Sequence, residues 1–508
     1  MSRTTTIALL IAFCICGTLT TLAFYWDEAW HTDKGRDSFW IPAHQMLYGS
    51  VAGLIVIVAI WSAILSYNQV GWRDIVRHWP LALAFTGAAV TLMDAPIDGI
   101  WHNTFGRDAV FWSPPHVLAV AGLTMTASGM LLKASGLGGR AGDILTVMTA
   151  ALVMSASVVL VMEYDSDVPQ FSTLWYLPVI AMTATFTLTL AGSVSPLRWI
   201  GTLTSLTYAG IMTAVFFYLS AVLDSTPIIP PLVIPGLVFD LARRYKLPLP
   251  VRGTLYSVAL YATYTPYLNR MLNGVSLSTS DVLIGLPLAA IISTLVLYAF
   301  GASLPRPAIR LSPSSAAVTA GLLLALLPAL AFAHDPGQGP KVGNAELTAT
   351  QTDGQLSVTG QIVDPDPCDV FTARGLVARR ARQEVRGTLQ QTGDCTFTGQ
   401  LTLPERGRWF VYLELNQSGK GVEVWLPVMS RDGTRTFEKE SWIYIPPTRK
   451  VNAISITAGI LIYALSIALI TTVGIGFRRT RARRDAGILD PADSPPLRVR
   501  QEQPAPAT

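Results

Sequence analysis

Charge is scarce in this sequence. Asp, Glu, Lys and Arg make up 14% of its 508 residues, against 51% hydrophobic residues. That balance excludes a string of ordinary soluble domains, where about a quarter of residues are charged. The net charge is only +4, and its basic residues lie mostly in short loops and the tail. Such a pattern reports membrane topology, and no nucleic-acid partner is expected. Cysteine is rare as well, with four in all. Cys14 and Cys16 fall inside an apolar run and read as buried thiols, although C-x-C spacing also suits a soft metal. Cys368 and Cys395 are the only cysteines of the one large polar segment and are expected to form a disulfide if it faces an oxidising compartment.

What the sequence does have is long apolar runs. Each is long enough to cross a bilayer core of about 30 Å as a helix. The runs predict about twelve spans: 5–26, 44–66, 80–98, 116–134, 143–163, 172–194, 199–222, 227–242, 253–273, 281–302, 314–333 and 452–476. Prolines in PPLVIPGL, 230–237, predict a broken or kinked helix there. Arg73, Arg77, Lys133, Arg140, Arg198, Arg243, Arg244, Lys246, Arg252, Arg306, Arg310 and the arginines after residue 477 all fall on one side. By the excess of positive charge in cytoplasmic loops, that side and both termini are cytoplasmic, in a membrane of bacterial inner-membrane type. His78 falls among these loop arginines and reads as solvated.

The fold class is therefore mainly α. It is a polytopic membrane bundle, residues 1–333, followed by an extracytoplasmic β domain, 334–448. A last transmembrane helix, 449–476, and a basic, disordered tail, 477–508, complete the chain. The runs QLSVTGQIV, TFTGQLTL, RWFVYLEL and GVEVWLPV alternate as strands do. The length suits a small β-sandwich of immunoglobulin or cupredoxin type. The preceding span ends in Ala-Phe-Ala before His334, like a secretory cleavage site. An uncut span is the simpler reading, whereas cleavage after Ala333 would make His334 an N-terminus.

Histidine is scarce too, with six in the chain. Four lie in two copies of one motif. Residues 27–44 read DEAWHTDKGRDSFWIPAH, and residues 98–116 read DGIWHNTFGRDAVFWSPPH. Asp27, Trp30, His31, Arg36, Asp37, Phe39, Trp40, Pro42 and His44 correspond to Asp98, Trp101, His102, Arg107, Asp108, Phe111, Trp112, Pro115 and His116. The second copy has one extra residue before its last histidine. Asp and His four apart share a helix face, and a short loop returns the second His to the same depth. Asp27, His31 and His44 thus make one candidate metal set, and Asp98, His102 and His116 a second, with Asp94 one turn before Asp98. Two imidazoles and a carboxylate suit copper, zinc or non-haem iron. Arg36, Asp37, Arg107 and Asp108 are expected to orient the ligands from behind. The alternative is a polar clasp between helices, repeated by duplication. The Trp and Phe residues read as interface anchors or as the wall of an apolar pocket. Glu163, Asp165 and Asp167, and also Asp224, lie at outer helix ends; they fit remnants of further hairpin repeats but have no ligand histidines beside them.

The motif resembles one in the C subunit of the copper membrane monooxygenases, the particulate methane and ammonia enzymes. That subunit carries Asp-x3-His-x12-His in an outward-facing hairpin, with Arg-Asp, Phe and Pro between the histidines. The resemblance implies copper at Asp27, His31 and His44, a second ion at Asp98, His102 and His116, and oxidation at or near such a site. Ala-Phe-Ala-His334 followed by a β domain is similar to the start of that family's mature B subunit, which makes His334 a further candidate ligand. The expected function is a copper-dependent, monooxygenase-like oxidoreductase of the membrane. The alternatives are a copper uptake or delivery protein and an assembly protein without turnover. Expected partners are the lipid bilayer and a second copy or other membrane subunits.

Overall fold

The computed structural model describes residues 1–34, 40–67, 78–105, 111–168, 172–268, 270–271, 275–301, 339–365, 368–380, 383–446 and 452–485. Among the described residues, ten helices of 12 residues or more precede the β domain: α1 (Arg3–Asp33), α2 (Pro42–Tyr67), α3 (Trp79–Phe105), α4 (Pro114–Ser135), α5 (Gly139–Val158), α6 (Tyr176–Val194), α7 (Ile200–Val222), α8 (Val233–Arg244), α9 (Leu249–Leu268) and α10 (Thr279–Val296). An eleventh, α11 (Ala453–Asp485), follows it.

The twelve expected spans become nine among the described residues, judged by length and apolarity. The run at 227–242 does not make a span. Pro230 and Pro231 lack the N–H a helix needs, so the helix starts only at Val233 and is 12 residues long. The run at 253–273 does fold as a helix, α9, but its buried face carries Tyr256, Ser257, Tyr261 and Tyr264 and is less apolar than a span. The run at 314–333 lies outside the described residues. His78 is buried rather than solvated; its Nδ1 accepts the Leu81 N–H in the first turn of α3.

α1 and α2 form one hairpin, and α3 and α4 another. α3 and α4 meet along a seam of small residues. A Cβ on Gly87 would lie 2.4 Å from the Gly122 carbonyl, so only glycine permits this approach. In lipid, where apolar side chains gain little by leaving their surroundings, such close backbone packing is a main source of helix association. α4 is the central helix, with 94% of its span buried. α3 and α5 pack against it, and α11 returns to lie on α3 and α4.

The β domain has eight antiparallel strands: β1 (Lys341–Thr352), β2 (Gln355–Asp364), β3 (Phe371–Arg380), β4 (Gln383–Gly393), β5 (Thr396–Thr402), β6 (Gly407–Gln417), β7 (Lys420–Ser430) and β8 (Thr434–Tyr444). They form a closed barrel in the order β1-β2-β5-β4-β3-β6-β7-β8, not the expected sandwich. β1 pairs along its length with β2 on one side and β8 on the other, so it cannot divide two sheets. The pairing of β8 with β1 closes the ring, and β7 meets β8 where Glu423 pairs with Tyr444 and accepts its phenol hydrogen bond at 2.7 Å. Gly399 helps the curl: a Cβ there would lie 2.5 Å from the Thr388 carbonyl on β4. Leu347, Val358, Phe397, Trp409, Val411 and Leu426 fill the interior. The expected disulfide between Cys368 and Cys395 is present, with Cα atoms 5.5 Å apart.

Candidate metal centre

The first motif copy is built by the last turns of α1 and the first turn of α2. Asp27 and His31 share a face of α1. Pro42 opens α2, where its fixed φ and missing N–H are tolerated, and this sets His44 on the first turn. His44 Nε2 lies 2.9 Å from Asp27 Oδ1, and His31 Nε2 lies 3.5 Å from the same oxygen. The two imidazole centroids are 6.0 Å apart. One ligand atom from each of the three residues lies within 4.8 Å of the others. Atoms bound to one ion at about 2.0–2.2 Å sit only a little closer than that, so side-chain rotation suffices to close the set. Asp27 Oδ1 is buried and accepts no aligned hydrogen bond among the described residues. A buried carboxylate oxygen facing two imidazoles at 2.9 and 3.5 Å is placed to share a cation with them. The donor set thus fits a transition-metal ion. His44 is 1% exposed and His31 27%, so one imidazole is fixed in the interior and the other meets the surface.

The second copy has the same construction. Ser113 accepts the His116 N–H at 3.5 Å and caps α4, with Pro114 and Pro115 in its first turn. His116 Nε2 lies 3.3 Å from Asp98 Oδ1. Asp94 is buried one turn before Asp98, and its Oδ1 has no hydrogen-bond partner among the described residues. His102 lies on α3 one turn beyond Asp98, but its side chain is outside the described residues, so the structure brings together Asp98 and His116 of the expected set. Arg36, Asp37, Arg107, Asp108 and His334 are also outside them.

The two copies lie side by side. Phe24, on α1 just before Asp27, meets Phe111 of the second copy edge-to-face at 6.4 Å, and Phe111 stacks on His116 at 5.5 Å. Trp112 is an anchor: its Nε1–H donates to the Leu160 carbonyl at 2.6 Å, and its own carbonyl accepts the Tyr463 hydroxyl of α11 at 2.5 Å.

The stretch after α5 holds Glu163, Asp165 and Asp167, and each reaches a different partner. Glu163 accepts the Phe111 N–H at 2.7 Å, which ties it to the second copy. Asp165 accepts the hydroxyls of Tyr25 at 3.0 Å and Tyr176 at 2.6 Å, which ties it to α1 two residues before Asp27. Asp167 pairs with Arg380 of the barrel at 2.8 Å. Burial raises the Asp167 carboxyl above its usual range, opposed chiefly by Arg380; burial likewise lowers the Arg408 guanidinium, opposed by Asp33 and Asp167. The available signal was three acids at alternate positions beside a helix end, where one face cannot hold them all.

No protein-family model, curated protein or solved structure matches the chain.

Proposed function

We propose that this chain is an integral membrane copper-binding protein, a monooxygenase-like oxidoreductase with metal sites at the outer membrane face. The observation that carries the reading is the convergence of Asp27, His31 and His44 on one point. The outer placement rests on the arginine-rich loops at the other end of the helices. Copper is chosen over zinc or iron because imidazole-rich sets hold it most tightly along the divalent series and because of the motif resemblance. Asp27 would contribute charge, and His31 and His44 neutral imidazole nitrogens. Asp98 and His116, with His102, would hold a second ion, and Asp94 would add a carboxylate to that site alone. Copper bound there would supply one-electron redox chemistry. The protein's own part is to fix the donors, to bury His44 and to line the ground between the sites with Phe24 and Phe111.

The partial exposure of His31 favours a second reading, in which the site accepts an ion at the surface and passes it on. Metal analysis of the purified chain, with oxygen consumption as the second measurement, separates the two. Copper with oxygen-dependent turnover supports the oxidoreductase. Copper that exchanges freely and supports no turnover supports uptake or delivery. A wild-type chain without copper defeats both.

A further inference from the structure

The barrel rests on the same end of the bundle as the motif copies, and two arginines hold it there. Arg380 ends β3. Its guanidinium donates to Asp167 Oδ1 at 2.8 Å and to the Arg408 carbonyl at 2.9 Å. The Arg408 backbone N–H donates to Asp167 Oδ2 at 2.9 Å. This grip joins the barrel to the loop after α5 and does not involve α1.

The Arg408 side chain is used differently. Its Nη1 donates to Ser225 Oγ at 2.5 Å and lies 3.6 Å from Asp33 Oδ1. Asp33 is the last residue of α1, two residues beyond His31. Its Oδ2 accepts the backbone N–H groups of Asp224 at 2.8 Å and Ser225 at 2.9 Å, and its Oδ1 accepts the Ser225 hydroxyl. Arg408 and Asp33 are each only 7% exposed in their side chains. The last turn of a helix ordinarily frays, since its carbonyls have no partners within the helix. Here the turn is held at its end by a buried ion pair and three hydrogen bonds, next to a metal-ligand candidate.

We infer that Arg408 is a positioning residue for the first metal site: through Asp33 it fixes the last turn of α1 and so sets His31 against Asp27 and His44. The barrel then completes the first site without lending it a ligand. Among the described residues the second site has no such contact with the barrel; its neighbour is α11. A buried arginine used only for docking would pair with Asp167, as Arg380 does. Arg408 meets Asp167 with its backbone and turns its side chain to Ser225 and to Asp33 of α1.

This inference rests on the metal reading of the first site, and the test separates the two. Full-length chains carrying His116→Ala, to silence the second site, are titrated with copper(II), and affinity and the electron paramagnetic resonance spectrum are recorded. Arg408→Gln in that background is expected to weaken copper binding about 10–100-fold, the usual effect of losing a partner behind a ligand, and to shift the spectrum. Asp33→Asn, which leaves every barrel residue in place, is expected to shift the spectrum in the same direction. In a His31→Ala background, which leaves only the second site, Arg408→Gln is expected to change nothing. Unchanged first-site spectra and affinities in both variants overturn the inference and leave the metal reading standing. Equal losses at both sites overturn it too, since they mean general unfolding. If the His116→Ala chain binds no copper, the metal reading falls and the inference with it.

Discussion

The two motif copies share residues and construction, yet they are supported from different directions. In the first, the end of α1 is gripped by the barrel through Asp33 and Arg408. In the second, α4 is backed by α11, where a Cβ on Gly459 would lie 3.3 Å from Pro114 and Tyr463 holds the Trp112 carbonyl. The acids differ as well. The second copy adds Asp94, buried one turn before Asp98, which has no counterpart in the first. A repeated motif therefore need not give a repeated site: the residues that support each copy come from elsewhere in the chain and break the equivalence.

The strongest way to break the comparison is to remove a ligand from one copy at a time. His31→Ala should weaken copper binding at the first site by more than about 100-fold, beyond the range for a supporting residue, and leave the second occupied. His102→Ala should do the reverse. Metal content by mass spectrometry decides it, and a double variant that keeps wild-type metal would show the histidines to be clasps.

A smaller effect should follow from the barrel. Cys368→Ser with Cys395→Ser should cost the β domain about 2–5 kcal/mol, read as a lower midpoint in denaturant. The loosening should reach the first copy and spare the second; equal copper loss at both would erase the distinction between them.

The α3–α4 seam allows the opposite perturbation. Gly87→Val drives a side chain into the Gly122 carbonyl, and overpacking of this kind costs about 1–3 kcal/mol. Thermal unfolding should show the loss, and copper should leave the second site before the first. The mildest test is Tyr463→Phe, which removes one hydrogen bond to Trp112. It should cost about 0.5–1.5 kcal/mol and touch the second copy alone, as amide hydrogen exchange in the first turns of α4 would register.

The ligand set was legible in the sequence because its geometry is local. Asp27 and His31 are one helical turn apart, and a short loop returns His44, so periodicity alone brings three donors together. The spans were legible where apolarity was continuous. It misled at 227–242, where the prolines predicted a break but not that the first six residues would stay non-helical, and at His78, which is buried although its neighbours in sequence are basic. The β strands were found by alternation, but alternation is the same in a sandwich and a barrel. Closure depends on which strands pair, and β1 with β8 is a choice made across the whole domain. Arg408 and Asp167 are 241 residues apart, and neither carries a local pattern that names the other.

The order in which these parts leave the ribosome has a consequence. The candidate ligands of both hairpins are synthesised first, within the first quarter of the chain. The barrel that steadies one copy and the helix α11 that backs the other come last, in a single continuous stretch. Until that stretch emerges, the nascent hairpins have their candidate donors but lack both supports, so on the proposed metal reading full-strength retention would require the barrel and α11 to be in place. A ribosome stalled before β1 would therefore present two ligand sets that lose copper readily to a chelator, and release of the complete protein would mark the moment when both begin to hold it.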